Sequence, residues 1–252
     1  MTNQPKDAPP VHWRRSLPGL FPSALRHEVP RDHHETDEAQ ARRRRIVTGV
    51  GITGATMLGL SLSSKPGTRR FYVLTFAVAA TWIGGALGSG PLHLGQAQRR
   101  DQSLHRPLVT PVVTGVGAFC VFYGAARACR HVPPAERALT RVLRLADHGS
   151  TRLVFLTTAA NGVAEELFFR GALYAAVGAR HPVAKSTAAY VLATASTRNP
   201  ALVLASLVMG LLFGWQRRAS GGVGASALTH LTWSLLMVRY LPPLFRGPIT
   251  AC

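Results

Sequence analysis

Acidic side chains are scarce in this chain of 252 residues: 11 Asp and Glu stand against 29 Lys and Arg, for a formal net charge of +18. Charge of either sign is thin, at 16% of residues against 47% hydrophobic. The first 45 residues are poorer in apolar side chains than the whole, so the remainder is more apolar than the average, which argues against a soluble enzyme. The same apolar content excludes disorder throughout. Cysteine is nearly absent. Cys120, Cys129 and Cys252 form an odd set with no CxxC pair, which excludes a disulfide scaffold and a Cys-based zinc ribbon. The apolar runs do not alternate with polar residues, as the strands of a membrane barrel would. No internal repeat is present, which speaks against a small transporter.

The basic excess is not laid out for nucleic acid. A binder of phosphates and bases carries a stripe of Lys and Arg interleaved with aromatics. Here the positives sit in the N-terminal segment (Arg14, Arg15, Arg42, Arg43, Arg44 and Arg45) and in short gaps between apolar runs, where membrane proteins face anionic headgroups. The expected surroundings are a lipid bilayer, with no nucleic-acid partner. Arg14-Arg15 is not followed by the apolar stretch of a twin-arginine signal. Residues 1–45 read as a disordered basic cytoplasmic tail, and 242–252 as a short C-terminal tail.

Between them lie apolar runs at 46–63, 71–92, 107–126, 151–178, 182–197, 200–216 and 222–240. A helix needs about 20 residues to cross a hydrocarbon core of about 30 Å. The first four runs and the last reach or approach that length, while 182–197 and 200–216 are marginal. The expectation is an all-α, polytopic membrane bundle of about seven transmembrane helices over 46–241, placed in the cell membrane. Gly84xxxGly88 and Gly210xxxGly214 are spaced for close helix approach. In the gap 127–150, Leu139, Val142, Leu143 and Ala146 fall at helical spacing among Arg137, Arg141 and Arg144, as in a basic amphipathic helix on a membrane surface. A cytoplasmic tail followed by three crossings would put this Arg-rich segment outside, against the usual bias. Either one early run does not cross or that bias is weak here.

The first three runs contain no acid or base, apart from His93 at the rim of the second. Run 151–178 differs, because Glu165, Glu166 and Arg170 stand near its middle, and the two glutamates are the only acids after Asp147. Each charge costs on the order of 2.5–3.5 kcal/mol at the centre of a membrane helix, so the three should face the bundle interior or a water-filled cavity. At α-helical spacing Glu166 and Arg170 form an i,i+4 pair. Glu165 points about 100° away, left without the obvious cation and available as a base toward water. Asn161, four residues earlier, lies on its face and could orient it. A buried ion-pair network that pins helix packing is the competing account. In the last run His230 and Ser234 are a second i,i+4 pair, and histidine is a natural partner of glutamate in water activation or metal ligation.

Glu165-Glu166-x-x-x-Arg170 resembles the EExxxR motif of the CPBP family of intramembrane proteases, the type II CAAX endopeptidase group with its bacteriocin-processing relatives. His230-x-x-x-Ser234 is similar to that family's final HxxxN/D motif, and the segment from Gly210 to Gly222 to its Gly-rich helix and RxG turn. The resemblance covers about 150–240. It implies an intramembrane endopeptidase acting on a membrane peptide or protein. Glu165 would activate water, Arg170 would hold Glu166, and His230 with Ser234 would stabilise the oxyanion. It also allows a zinc ion, for which Glu165 and His230 are the donors to consider, although a metal-free mechanism is at least as well supported by this residue set.

Two positions depart from the pattern. The family carries FxxxH between these motifs; the best counterpart here is Tyr190-x-x-x-Thr194, and no histidine occurs in 182–229. Thr194 and His93 are the candidate substitutes for the missing histidine. Ser234 replaces an amide or acid. A catalytically degenerate relative acting as a membrane scaffold or immunity-type binding protein is the alternative these departures raise.

Overall fold

The structure, a computed structural model, describes residues 35–95, 108–147, 149–178 and 180–245, together with a short antiparallel pair, β1 (Ala97–Gln98) and β2 (Leu104–His105). The rest of the described chain is helical: α1 (Asp37–Leu62), α2 (Arg69–Ser89), α3 (Val109–Cys129), α4 (Pro133–Asp147) and α5 (Thr151–Glu165). A π-helical segment, Glu166–Leu173, continues α5 into the single turn α6 (Tyr174–Ala176). Then come α7 (Pro182–Ala195), α8 (Pro200–Ser220) and α9 (Gly224–Tyr240), and a 3-10 turn at Pro242–Phe245. An all-α membrane bundle fits this architecture. The helices α1, α2, α3 and α8 are long and apolar enough to cross a membrane. Of the two marginal runs, 200–216 lengthens to 21 residues as α8, whereas α7 has 14, spanning roughly 21 Å at 1.5 Å per residue.

The N-terminal boundary needs correction. Residues 1–34 lie outside the described residues, but 37–45 are helical and do not belong to a tail. Thr36 caps α1, its hydroxyl accepting from Ala39 N at 3.2 Å, and Asp37 and Glu38 complement the positive end of the helix. The four arginines at its start do not act alike. Arg42, Arg44 and Arg45 are exposed, whereas Arg43 is fully buried, donating to the Glu35 carboxylate, to Ser89 Oγ at 3.4 Å and to the Pro91 carbonyl at 3.3 Å. It ties α1 to the end of α2. At the C-terminus Pro242 is buried, and 246–252 lie outside the described residues.

The centre of the bundle is aromatic. Trp82 of α2 packs on Phe168 and Phe169 at centroid distances of 4.4 and 5.1 Å, and those two rings meet edge to face at 5.0 Å. Gly54 makes room for Trp82, since a Cβ there would collide with the indole. The π segment packs against α1, α2, α7, α8 and α9. The even 100° spacing expected across 151–178 therefore does not hold through this segment, although Glu166 and Arg170 still pair four residues apart: bonding in a π-helix runs from i to i+5, and this widened turn buries every residue from Phe168 to Leu173.

Helix α4 is amphipathic, as its spacing indicates, with Arg137 and Arg141 exposed. Its apolar face turns toward the bundle, where Leu139, Val142 and Leu143 line a cavity. Asn199 locks it there. Its side-chain amide donates to the Ala138 carbonyl at 2.8 Å, while its oxygen caps α8 by accepting from Ala201 N and Leu202 N.

Candidate active site

The glutamate pair at the junction of α5 and the π segment splits into two environments. Glu166 is fully buried, and its Oε1 accepts from Arg170 Nη1 and from His230 Nδ1, each at 3.1 Å. A carboxylate only accepts, so this contact puts a proton on Nδ1 of His230 and leaves Nε2 free for other chemistry. The His230 ring stacks on Phe213 of α8, with centroids 4.8 Å apart. Arg170 is fully buried as well. Its Nη2 donates to the Gly210 carbonyl at 3.3 Å, and its guanidinium lies over the Tyr190 and Phe213 rings at 4.6 and 5.0 Å. Gly210, at the start of the small-residue pair on α8, is thus where the backbone meets the cation. Arg217 Nε donates to the Arg170 carbonyl at 2.7 Å and so secures the π segment itself.

Glu165 opens the other way. Its Oε2 accepts from the Tyr190 hydroxyl at 2.7 Å, and its side chain lines a cavity of about 350 Å³. His230, Ser234, Tyr190, Thr194 and Asn161 line the same cavity. Most of the remaining wall is apolar, with Phe71, Phe122 and Met209 beside the face of α4. Near the charges, Glu166 Oε2, Arg170 Nε and Asn161 Oδ1 are buried with no hydrogen-bond partner among the described residues.

The expected residues are therefore brought together unevenly. Glu166 and Arg170 pair as their spacing indicates, and His230 joins them from α9. Ser234 reaches the cavity one turn later, its hydroxyl donating to the Leu231 carbonyl at 3.3 Å. Thr194 is also at the cavity, but its hydroxyl donates to the Tyr190 carbonyl at 2.8 Å. His93 is not at the cavity. It is exposed in the loop after α2, where its carbonyl accepts from Val223 N at 2.9 Å. That loop presses on the turn before α9 so closely that a Cβ at Gly222 would overlap the Gly95 backbone. Asn161 does not orient Glu165: its amide donates to the Thr157 and Thr75 carbonyls and binds α5 to α2. The partner of Glu165 is Tyr190, whose spacing marks it only as the counterpart of a phenylalanine. The signal of its role is the hydroxyl, the one group by which it differs from that residue.

Residues 148–236 match the family model described as type II CAAX prenyl endopeptidase Rce1-like. The similarity to the CPBP family of intramembrane proteases is thus carried by the segment that contains Glu165, Glu166, Arg170, Thr194, His230 and Ser234, and His93 falls outside it. No curated protein and no solved structure matches the chain.

A catalytic zinc takes three protein ligands and keeps a fourth position open. Among the described residues no group of three or more His, Cys, Asp or Glu is arranged to hold a metal. Glu166 Oε1 already accepts from Arg170 and His230, and Glu165 Oε2 from Tyr190. The residues present do not make up a zinc-ligand set.

Proposed function

We propose that the chain is an intramembrane endopeptidase of the CAAX prenyl protease 2-like (CPBP) type, resident in the cell membrane, which hydrolyses a peptide bond of a membrane-associated peptide or protein. The observation that carries this reading is the meeting of Glu165 and His230 at one cavity while Glu166 Oε1 is engaged by Arg170 and His230. A base and a donor on the wall of one cavity can act on the same peptide group.

In this mechanism Glu165 takes a proton from water as its oxygen attacks the peptide carbonyl. The developing oxyanion is met by His230, whose ring is oriented through Nδ1 by Glu166 and which donates from Nε2 when it carries the second proton. Ser234, one turn along α9, supplies a further hydroxyl. Glu165 then returns the proton to the leaving amine. Arg170 holds the Glu166 carboxylate in place.

The test is cleavage of a membrane-peptide library by the purified chain and by Glu165→Gln. Loss of a positioned base should lower the rate roughly 10²–10⁴-fold, with the folded yield unchanged. Robust hydrolysis that survives both Glu165→Gln and His93→Ala overturns the reading. One observation favours a second account, a degenerate relative acting as a scaffold or binding protein. No imidazole occupies α7, and the Thr194 hydroxyl is bonded to its own helix backbone. Under that account wild type is inactive and Thr194→His gains hydrolysis.

A further inference from the structure

We propose that Tyr190 is a positioning residue for Glu165, its phenol supplying that carboxylate with a partner from α7, a helix that carries no imidazole. The inference rests on the peptidase reading above for its catalytic meaning, but the pairing itself stands on geometry. Tyr190 is 9% exposed and its hydroxyl lies 2.7 Å from Glu165 Oε2, a length suited to a hydroxyl donating to a carboxylate. The ring cannot drift, since Phe169 packs on it at 4.9 Å and the Arg170 guanidinium lies over its face at 4.6 Å. Thr194 does not compete for Glu165, because its own hydroxyl is bonded to the Tyr190 carbonyl.

The consequence is an assignment of the two carboxylate oxygens. A phenol is protonated at ordinary pH, so toward a carboxylate it can only donate. It occupies Oε2 and leaves Oε1 to accept the proton of water. Phenylalanine at 190 would keep the packing but leave the Glu165 carboxylate without this donor to its charged form. A base that has taken up a proton in advance cannot take one from water.

Two measurements on the purified full chain test this. The first needs no activity: dicyclohexylcarbodiimide adds to protonated carboxyl groups, and labelling of Glu165 is read by mass mapping. Removing the donor in Tyr190→Phe should speed labelling about tenfold, the equivalent of one hydrogen bond to a charged group. Tyr190→Leu, which also lacks the hydroxyl, serves if the phenylalanine variant fails to fold. The second is kinetic. Tyr190→Phe should lower kcat about tenfold with KM little changed, because the phenol acts on the base and does not touch substrate. Unchanged labelling in folded Tyr190→Phe or Tyr190→Leu overturns the inference whatever the activity. Faster labelling with no hydrolysis by wild type upholds the pairing and overturns the peptidase reading instead. Faster labelling with kcat unchanged overturns the positioning role.

Discussion

Helix α3 and the π segment after α5 are both apolar by composition, yet the bundle treats them in opposite ways. Of the 21 residues of α3 only Pro111, Gly115 and Ala126 are buried, and Val109, Val112, Val113, Val116 and Val121 are exposed. In Glu166–Leu173 every residue but Leu167 is buried. A valine facing lipid loses nothing by staying outside, because lipid tails are as apolar as the side chain. A glutamate or guanidinium has no such freedom. It must be walled by protein that supplies partners, and here five helices do so. The attachment of α3 runs mainly through α9. Thr229 on α9 donates to the Pro111 carbonyl at 3.0 Å while accepting from Gln216, and Gly115 lets the two helices close on each other. Between these two segments burial therefore follows charge more closely than hydrophobicity.

Substitutions in the two regions sharpen that contrast. The largest effect is expected at Arg170. Its replacement by Ala leaves the Glu166 carboxylate buried without its cation, and such an uncompensated charge costs about 3–5 kcal/mol. The folded fraction in detergent and the thermal midpoint should both drop. A stability close to wild type would mean that His230 alone can hold Glu166, and would break the argument from charge. An intermediate effect is expected where α4 docks. Asn199→Ala removes both the cap of α8 and the bond to Ala138, at about 1 kcal/mol for the cap, and proteolysis within 131–147 should become faster. The smallest effect belongs to α3. Val113→Ala on its exposed face should change stability by less than about 0.5 kcal/mol, and a loss several times larger would show that this face meets protein and not lipid.

By itself the sequence determined the helices and the one ion pair that is local. Continuous apolar runs in a membrane must satisfy their own backbone, which leaves the helix as the conformation open to them. Two charges four residues apart meet within one helix, so Glu166 and Arg170 were legible from spacing. Motif spacing also separated Glu165 from that pair. Only the tertiary structure decided who else joins. His230 reaches Glu166 across 64 positions and Tyr190 reaches Glu165 across 25, through helix packing that no periodicity records. The same packing buried Arg43 among four arginines in a row, set Asn161 to bracing α5 against α2, and kept His93 away from the cavity. It also gave the charged segment its π-helical turn, in which the consecutive residues Phe168 to Leu173 are all buried. Local pairs depend on the pitch of one helix, whereas a site assembled from several helices depends on which faces the whole bundle can afford to bring together.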